Sequence, residues 1–145
     1  MNKLSLSAVA VLFGLVALTP VAGATTNVKP AECTGTYSRT IVTSKDGDLV
    51  KGTAGNDIIY VNHSRNSVKG EGGNDCIVVN GDANSVKGGN GADVIIGNGV
   101  RNSIDGEAGN DKLFARDGAY SSLNGGLNTD YCEGDITSSL KACEL

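Results

Sequence analysis

The sequence predicts an all-β chain wound as a parallel β-solenoid with 18-residue coils, and three observations carry that expectation. The first is repetition. KGTAGNDIIYVNHSRNSV (51–68), KGEGGNDCIVVNGDANSV (69–86) and KGGNGADVIIGNGVRNSI (87–104) are tandem copies of one unit. A fourth copy, DGEAGNDKLFARDGAYSSL (105–123), carries one extra residue, and a fifth starts as NGGLNTDYC at Asn124 before decaying. The second is the pattern inside each copy, where three-residue apolar segments alternate with Gly/Asn/Asp turns. Such segments are too short for a helical period and too rich in residues that tolerate positive φ. The third is composition: 21 of 145 residues are Gly, about twice the usual share of roughly 7%, and Trp is absent. A unit this small cannot bury a core alone and must stack on its neighbours.

Taken in order, the chain opens with Lys3 as a positive n-region, an apolar run from Leu4 to Leu18 and a small-residue site at Ala22-Gly23-Ala24. Residues 1–24 therefore read as a secretion signal peptide, and the apolar run is short for a membrane span. A secreted, extracellular chain is expected. There are 12 basic and 16 acidic residues, a formal net charge of −4, and loss of Lys3 with the leader shifts the balance further towards acid. An acidic surface argues against nucleic acid and against anionic membranes as partners. Residues 25–50 are expected to form an N-terminal capping segment, 51–131 the repeats, and 132–145 a C-terminal disulfide-stapled cap. Cys33, Cys76, Cys132 and Cys143 all lie in the exported part, where disulfides are permitted. Spacing leaves three pairings open. Cys132–Cys143 is the local option and would leave Cys33–Cys76 to tie the N-terminal segment to the second full coil.

Each copy splits into halves of nine residues. The first half reads G-x-x-G-N-D-x-I-x, and the second keeps the apolar position but puts Asn66, Asn84 and Asn102 where the first has Asp. Alternation then sends Ile59, Ile77, Ile95 and Leu113 inward from one sheet and Val68, Val86, Ile104 and Leu123 inward from the other, with Cys132 in the last coil. Outward from the Asp-bearing halves point Ile58, Tyr60, Cys76, Val78, Val94, Ile96, Lys112 and Phe114. Outward from the Asn-bearing halves point Ser67, Lys69, Ser85, Lys87, Ser103 and Asp105. One outer face is apolar and the other polar. The apolar face (Ile58, Tyr60, Val78, Val94, Ile96, Phe114) has two readings: it is covered by residues 25–42, or it meets a protein partner or a second copy of the chain.

The nonapeptide G-x-x-G-N-D-x-I-x resembles that of the RTX, or haemolysin-type, calcium-binding repeat, G-G-x-G-x-D-x-U-x. Five turns carry the likeness: Gly52–Asp57, Gly70–Asp75, Gly88–Asp93, Gly106–Asp111 and Gly125–Asp130. The resemblance implies a right-handed parallel β-roll with calcium between consecutive turns, held by the repeated Asp carboxylate and by turn carbonyls. Three departures stand out. Only alternate halves carry the Asp, Asn128 replaces a glycine in the fifth turn, and the export signal is N-terminal.

Electrostatics points the same way. An 18-residue circuit stacks Asp57, Asp75, Asp93, Asp111 and (after the insertion) Asp130 in one row. Neighbouring carboxylates about 5 Å apart repel by about 3 kcal/mol at an effective dielectric near 20. A hard divalent cation between turns reverses that sign, and Ca²⁺ accepts the six to eight oxygens that carbonyl-rich glycine turns can offer. The candidate metal-binding residues are Gly52, Gly55, Asp57, Gly70, Gly73, Asp75, Gly88, Gly91, Asp93, Gly106, Gly109, Asp111, Gly125 and Asp130, for up to four Ca²⁺ ions in the gaps between five turns. On the opposite edge Asn66, Asn84 and Asn102, with a second row at Asn62, Asn80 and Asn98, can hydrogen-bond along the stack without any ion. No catalytic constellation is evident: His63 is the single histidine, and no G-x-S-x-G or phosphate-loop pattern occurs. The reading is a calcium-binding protein rather than an enzyme. The alternative is a calcium-independent surface- or ice-binding solenoid, which the lack of a regular outward Thr row disfavours.

Overall fold

The computed structural model describes residues 27–116, 120–135 and 137–144, so the expected leader lies outside the described residues. Within them the chain alternates between two parallel sheets. Strands β1 (Arg39–Val42), β3 (Asp57–Val61), β5 (Cys76–Val79), β7 (Val94–Gly97), β9 (Lys112–Ala115) and β11 (Tyr131–Glu133) stack in that order. Strands β2 (Leu49–Lys51), β4 (Ser67–Gly72), β6 (Ser85–Asn90), β8 (Ser103–Ala108), β10 (Ser122–Leu127) and β12 (Ser139–Lys141) form the facing sheet, again in chain order. This is the solenoid that the repeat predicts, with one turn of the spiral per repeat copy.

Register follows the repeat. Ile41, Ile59, Ile77, Ile95, Leu113 and Cys132 are mutual neighbours up one sheet. Val50, Val68, Val86, Ile104, Leu123 and Leu140 are neighbours up the other. From Ile59 to Leu113, and from Val68 to Leu123, these side chains are at most 1% exposed and fill one continuous core. Burying each branched side chain contributes about 1.5–3 kcal/mol. The odd strands supply more core than expected. Val61, Val79 and Ala115 also turn inward, two residues beyond the predicted position, and Gly97 takes that place in β7, where the Ile104 side chain leaves little room. Winding also begins before the first recognisable copy: β1 and β2 already make a coil, marked in the sequence only by Ile41 and Val50, each 18 residues before its successor.

The apolar outer face is covered by the chain itself. Ile58, Tyr60, Val78, Ile96 and Phe114 are no more than 8% exposed, and with partly buried Val94 they cluster around Cys33 and Tyr37. Residues 27–38 reach this face through the Cys33–Cys76 disulfide and a Glu32–Arg116 ion pair. At its two ends Asn62 Nδ2 donates to Asn27 Oδ1 at 2.9 Å and Asn56 Nδ2 to the Thr36 carbonyl at 3.3 Å. The alternative of a partner or second copy docking on these six residues is thereby corrected: they form a second, smaller core whose lid is the N-terminal strap. The polar face stays open. Ser67, Ser85, Ser103, Ser122 and Ser139 run up it as an exposed, in-register row. Beside them the lysine row is partly paired across coils, Lys51 with Glu71 at 3.2 Å and Lys87 with Glu107. Exposed pairs of this kind contribute at most about 1 kcal/mol each, so they solvate the face rather than hold the fold.

Candidate metal centre

Five turns carry the chain from an even strand to the next odd strand, and each places its Asp at the same point of its coil, so the five form a column along the stack. The first glycine of the turn is required by crowding. A Cβ on Gly70 would lie 2.3 Å from both Asp75 Oδ2 and the Gly88 carbonyl oxygen, and one on Gly88 would lie 2.4 Å from Asp93 Oδ2. Gly52, Gly106 and Gly125 are confined in the same way by the next coil's carbonyl and their own turn's Asp. The fourth position needs a left-handed backbone: Gly73, Gly91 and Gly109 have φ of 91°, 125° and 142°. Asn128 supplies the same conformation at φ 86°, which its short polar side chain tolerates, so the departure in the fifth turn leaves the turn intact. Gly55 meets nothing nearer than 3.5 Å and has no such constraint.

Asp57, Asp75, Asp93, Asp111 and Asp130 are all at most 1% exposed. One oxygen of each carboxylate from Asp75 onward reaches back to the preceding coil. The Asp57 N–H donates to Asp75 Oδ1 at 2.7 Å and the Asp75 N–H to Asp93 Oδ1 at 2.7 Å. The Asp93 N–H donates to Asp111 Oδ1 and the Asp111 N–H to Asp130 Oδ1, both at 2.9 Å. The other oxygen has no partner: Oδ2 of Asp75, Asp93, Asp111 and Asp130 is buried and unbonded. In the first turn Thr53 intervenes, its N–H and hydroxyl donating to Asp57 Oδ2 at 2.5 and 2.9 Å, which leaves Asp57 Oδ1 unpaired instead.

Burial without compensation raises the carboxyl groups of Asp75, Asp93 and Asp111. Desolvation pushes Asp93 up to about 8, with the adjacent Asp75 and Asp111 charges adding to it and the bond from the Asp75 N–H opposing it. Desolvation likewise lifts Asp75 to about 7 and Asp111 to about 6, in each case against the backbone hydrogen bond. A row of buried, unpartnered anionic oxygens is a site prepared for positive charge. Among the described residues no group of three or more His, Cys, Asp or Glu side chains converges on a metal position. Carboxylates alone therefore cannot complete a shell of six to eight oxygens, and the neighbouring oxygens are the carbonyls of the crowded glycine turns. That donor set, all oxygen and largely backbone, suits calcium. A groove of about 260 Å³ bounded by Glu32, Tyr37, Asn56, Asn74, Asp75 and Asp93 gives access along the turns.

The geometry brings four Asp carboxylates into one repeated arrangement and sets Asp57 slightly apart. It also adds residues that the repeat did not single out. Thr53 satisfies the first carboxylate, and Glu71 and Glu107 hold the second turn position in left-handed backbone at φ 80° and 73°. Glu144 accepts the Asp130 N–H at the C-terminal end. Thr53 was visible only as the one hydroxyl at that turn position. Glu144 had no signal, because it stands outside the period.

No curated protein and no solved structure matches the chain. The RTX calcium-binding nonapeptide repeat matches in four overlapping copies, at residues 42–77, 52–86, 78–113 and 87–121. Such repeats are structural and binding modules, not catalytic ones. The matched span exceeds half of the 145 residues and contains four of the five carboxylate turns, so the chain belongs to the RTX calcium-binding nonapeptide repeat family.

Proposed function

We propose that this is a secreted calcium-binding protein whose folding is coupled to ion binding in the gaps between consecutive Gly/Asp turns. The observation that carries the reading is the column of buried oxygens without partners on Asp75, Asp93, Asp111 and Asp130. An unsatisfied buried polar atom costs about 1–3 kcal/mol, and more when charged. Several in one column compete with the whole stability of a domain, about 5–15 kcal/mol. Bound calcium would supply the positive charge and the coordination these oxygens lack. Asp57, Asp75, Asp93, Asp111 and Asp130 would provide the carboxylates, and Gly52, Gly70, Gly88, Gly106 and Gly125, with Gly55, Gly73, Gly91 and Gly109, the carbonyl-rich turns, for up to four ions. The chain's own contribution is to hold the carboxylates at one per coil, exclude water from their inner oxygens and pin their outer oxygens on backbone N–H groups.

Residues 1–24 would direct export, and a chain that stays poorly folded until it meets a calcium-rich exterior is easier to export than a folded one. The test is a calcium titration of the oxidised protein followed by far-UV circular dichroism, with magnesium as control. A coil-to-β transition driven by calcium alone is the expected result. A chain already fully β-structured in chelator, with spectrum and melting point indifferent to calcium, would overturn the reading and leave the exposed serine row as the surface to investigate.

A further inference from the structure

The C-terminal tail ends the carboxylate column with a residue from outside the repeat. Strand β12 pairs with β10 in the regular register, Asn124 opposite Lys141, so Ala142 occupies the place that Gly125 holds one coil earlier. Its carbonyl oxygen would lie 2.0 Å from a Cβ on Gly125, just as the Gly125 carbonyl would lie 2.4 Å from one on Gly106. A full turn would now need several more residues before its carboxylate. Instead Cys143, bonded to Cys132, carries the chain straight across to the odd sheet. Glu144 lands in a parallel bridge with Tyr131 and donates its N–H to the Asp130 carbonyl at 2.7 Å. Tyr131 stands in the same relation to Asp111, at 2.9 Å. Glu144 is thus one residue past the Asp position, and its extra methylene compensates. Its Oε2 accepts the Asp130 N–H, the bond that each Asp makes to the coil before it.

We propose that this shortcut builds one more cation site, between the fifth turn and the tail, with Asp130 and Glu144 as its carboxylates and the Ala142 carbonyl beside them. The inference rests on the calcium reading above and extends it to a gap that the nonapeptide does not define. Glu144 repeats the ladder bond, but the observation that points to a ligand is Asp130 Oδ2, on a residue 1% exposed. It is unpartnered and aimed at Gly125, where a Cβ would lie 2.7 Å from it. Asp130, the Ala142 carbonyl and Glu144 reproduce the donors of an interior gap. Unlike the corresponding Gly88, Gly106, Asp93 and Asp111 of the interior turns, which are buried, Ala142 and Glu144 are exposed, so water completes the shell and this site is the weakest in the column. The Cys132–Cys143 disulfide holds Glu144 in place, which makes occupancy depend on the oxidised state.

Equilibrium dialysis of the oxidised protein against calcium separates this site from the others. Glu144→Gln keeps an oxygen for the Asp130 N–H but removes the charge. It should lose one ion and the weakest binding step, with the far-UV spectrum in chelator unchanged. Asp93→Asn should lose tight interior binding. A terbium titration gives a second readout, because Tyr131 is adjacent to both carboxylates: Tyr131→Phe should remove the weak phase of sensitised luminescence and leave the tight phases. If Glu144→Gln binds as many ions as the parent, with its weakest step intact, while Asp93→Asn loses ions, the terminal site is refuted and the interior reading stands. If the parent binds no calcium, both fail together.

Discussion

Along one edge of the solenoid the Asp57 N–H donates to Asp75 Oδ1 at 2.7 Å; along the other the Asn66 N–H donates to Asn84 Oδ1 at 2.8 Å. The pattern continues on both edges, Asp75 to Asp93 and Asn84 to Asn102, so the two ladders share one geometry and differ in a single atom per rung. Where the amide has Nδ2 it can donate to turn carbonyls. Asn66 does so to His63 O at 2.8 Å, and Asn102 to Gly99 O and Gly81 O at 3.0 and 3.1 Å, although Asn84 Nδ2 is left unpaired. Where the carboxylate has Oδ2, that oxygen has nothing to donate and is left without a partner. A further row, Asn80 to Asn62 and Asn98 to Asn80 at 2.8 Å, reinforces the neutral edge. The ladder bond itself is therefore the same for amide and carboxylate, and the two edges differ only in the second side-chain atom.

Exchanging that atom gives the largest expected effects. A chain with Asp75, Asp93 and Asp111 all replaced by Asn should be folded in chelator at pH 8, with a melting point that calcium moves only slightly, through Asp130 and Glu144. The parent at that pH should be poorly folded in chelator and folded in calcium, since one site at a thousandfold excess over Kd contributes about 4 kcal/mol. The reciprocal change, Asn84→Asp, buries a carboxylate oxygen on the neutral edge and should cost about 2–4 kcal/mol in calorimetry, with or without calcium. Recovery of Asn84→Asp by calcium would erase the distinction between the edges.

A smaller effect comes from pH. The carboxyls of Asp75, Asp93 and Asp111 titrate at about 7, 8 and 6 when folded, above the ordinary value of 3.8. The calcium-free native state therefore holds more protons than the unfolded chain, and its stability is fully present below about pH 4 and lost as pH rises through 6 to 8. Melting points in chelator should fall across that window, whereas saturating calcium, which favours the ionised form, should flatten or reverse the slope. An equal fall in the Asn-substituted chain would assign the slope to other groups. Smallest is the backbone strain before each Asn rung, where Ala83 sits at φ 54°. Ala83→Gly should stabilise by up to about 1 kcal/mol in denaturant titration, and a loss would show that this turn is unstrained.

Much of this architecture was legible because the period is strict. Ile59, Ile77 and Ile95 announce the core, and Asp57, Asp75 and Asp93 the column, by spacing alone. The signal fades where tertiary pairing replaces motif. The coil at β1 and β2 keeps only Ile41 and Val50 of the pattern, since an end coil needs an inward apolar residue but no glycine turn. The apolar outer face was readable and the N-terminal segment was one of its two candidate occupants; because residues 27–38 carry no period, Cys33 was the one sequence signal for that strap. The left-handed residues Arg65, Ala83 and Arg101 were equally hidden: they lie among turn residues, but nothing in their own identity marks positive φ. The carboxylates were expected to stand as mutually repelling charges. Their outer oxygens are instead engaged with backbone N–H groups, which leaves only the inner ones open to a cation.

Every rung of both ladders points the same way along the chain: the acceptor belongs to the later coil and the donor to the earlier one. The column therefore has a polarity, like courses of masonry each locked by the one laid above. Each coil's N–H is closed by the coil that follows it, so closure in a chain appearing from its N-terminus runs from the first coil towards the last. At every intermediate length one rung stays open at the top, and Glu144 supplies the acceptor for the last of them, the Asp130 N–H.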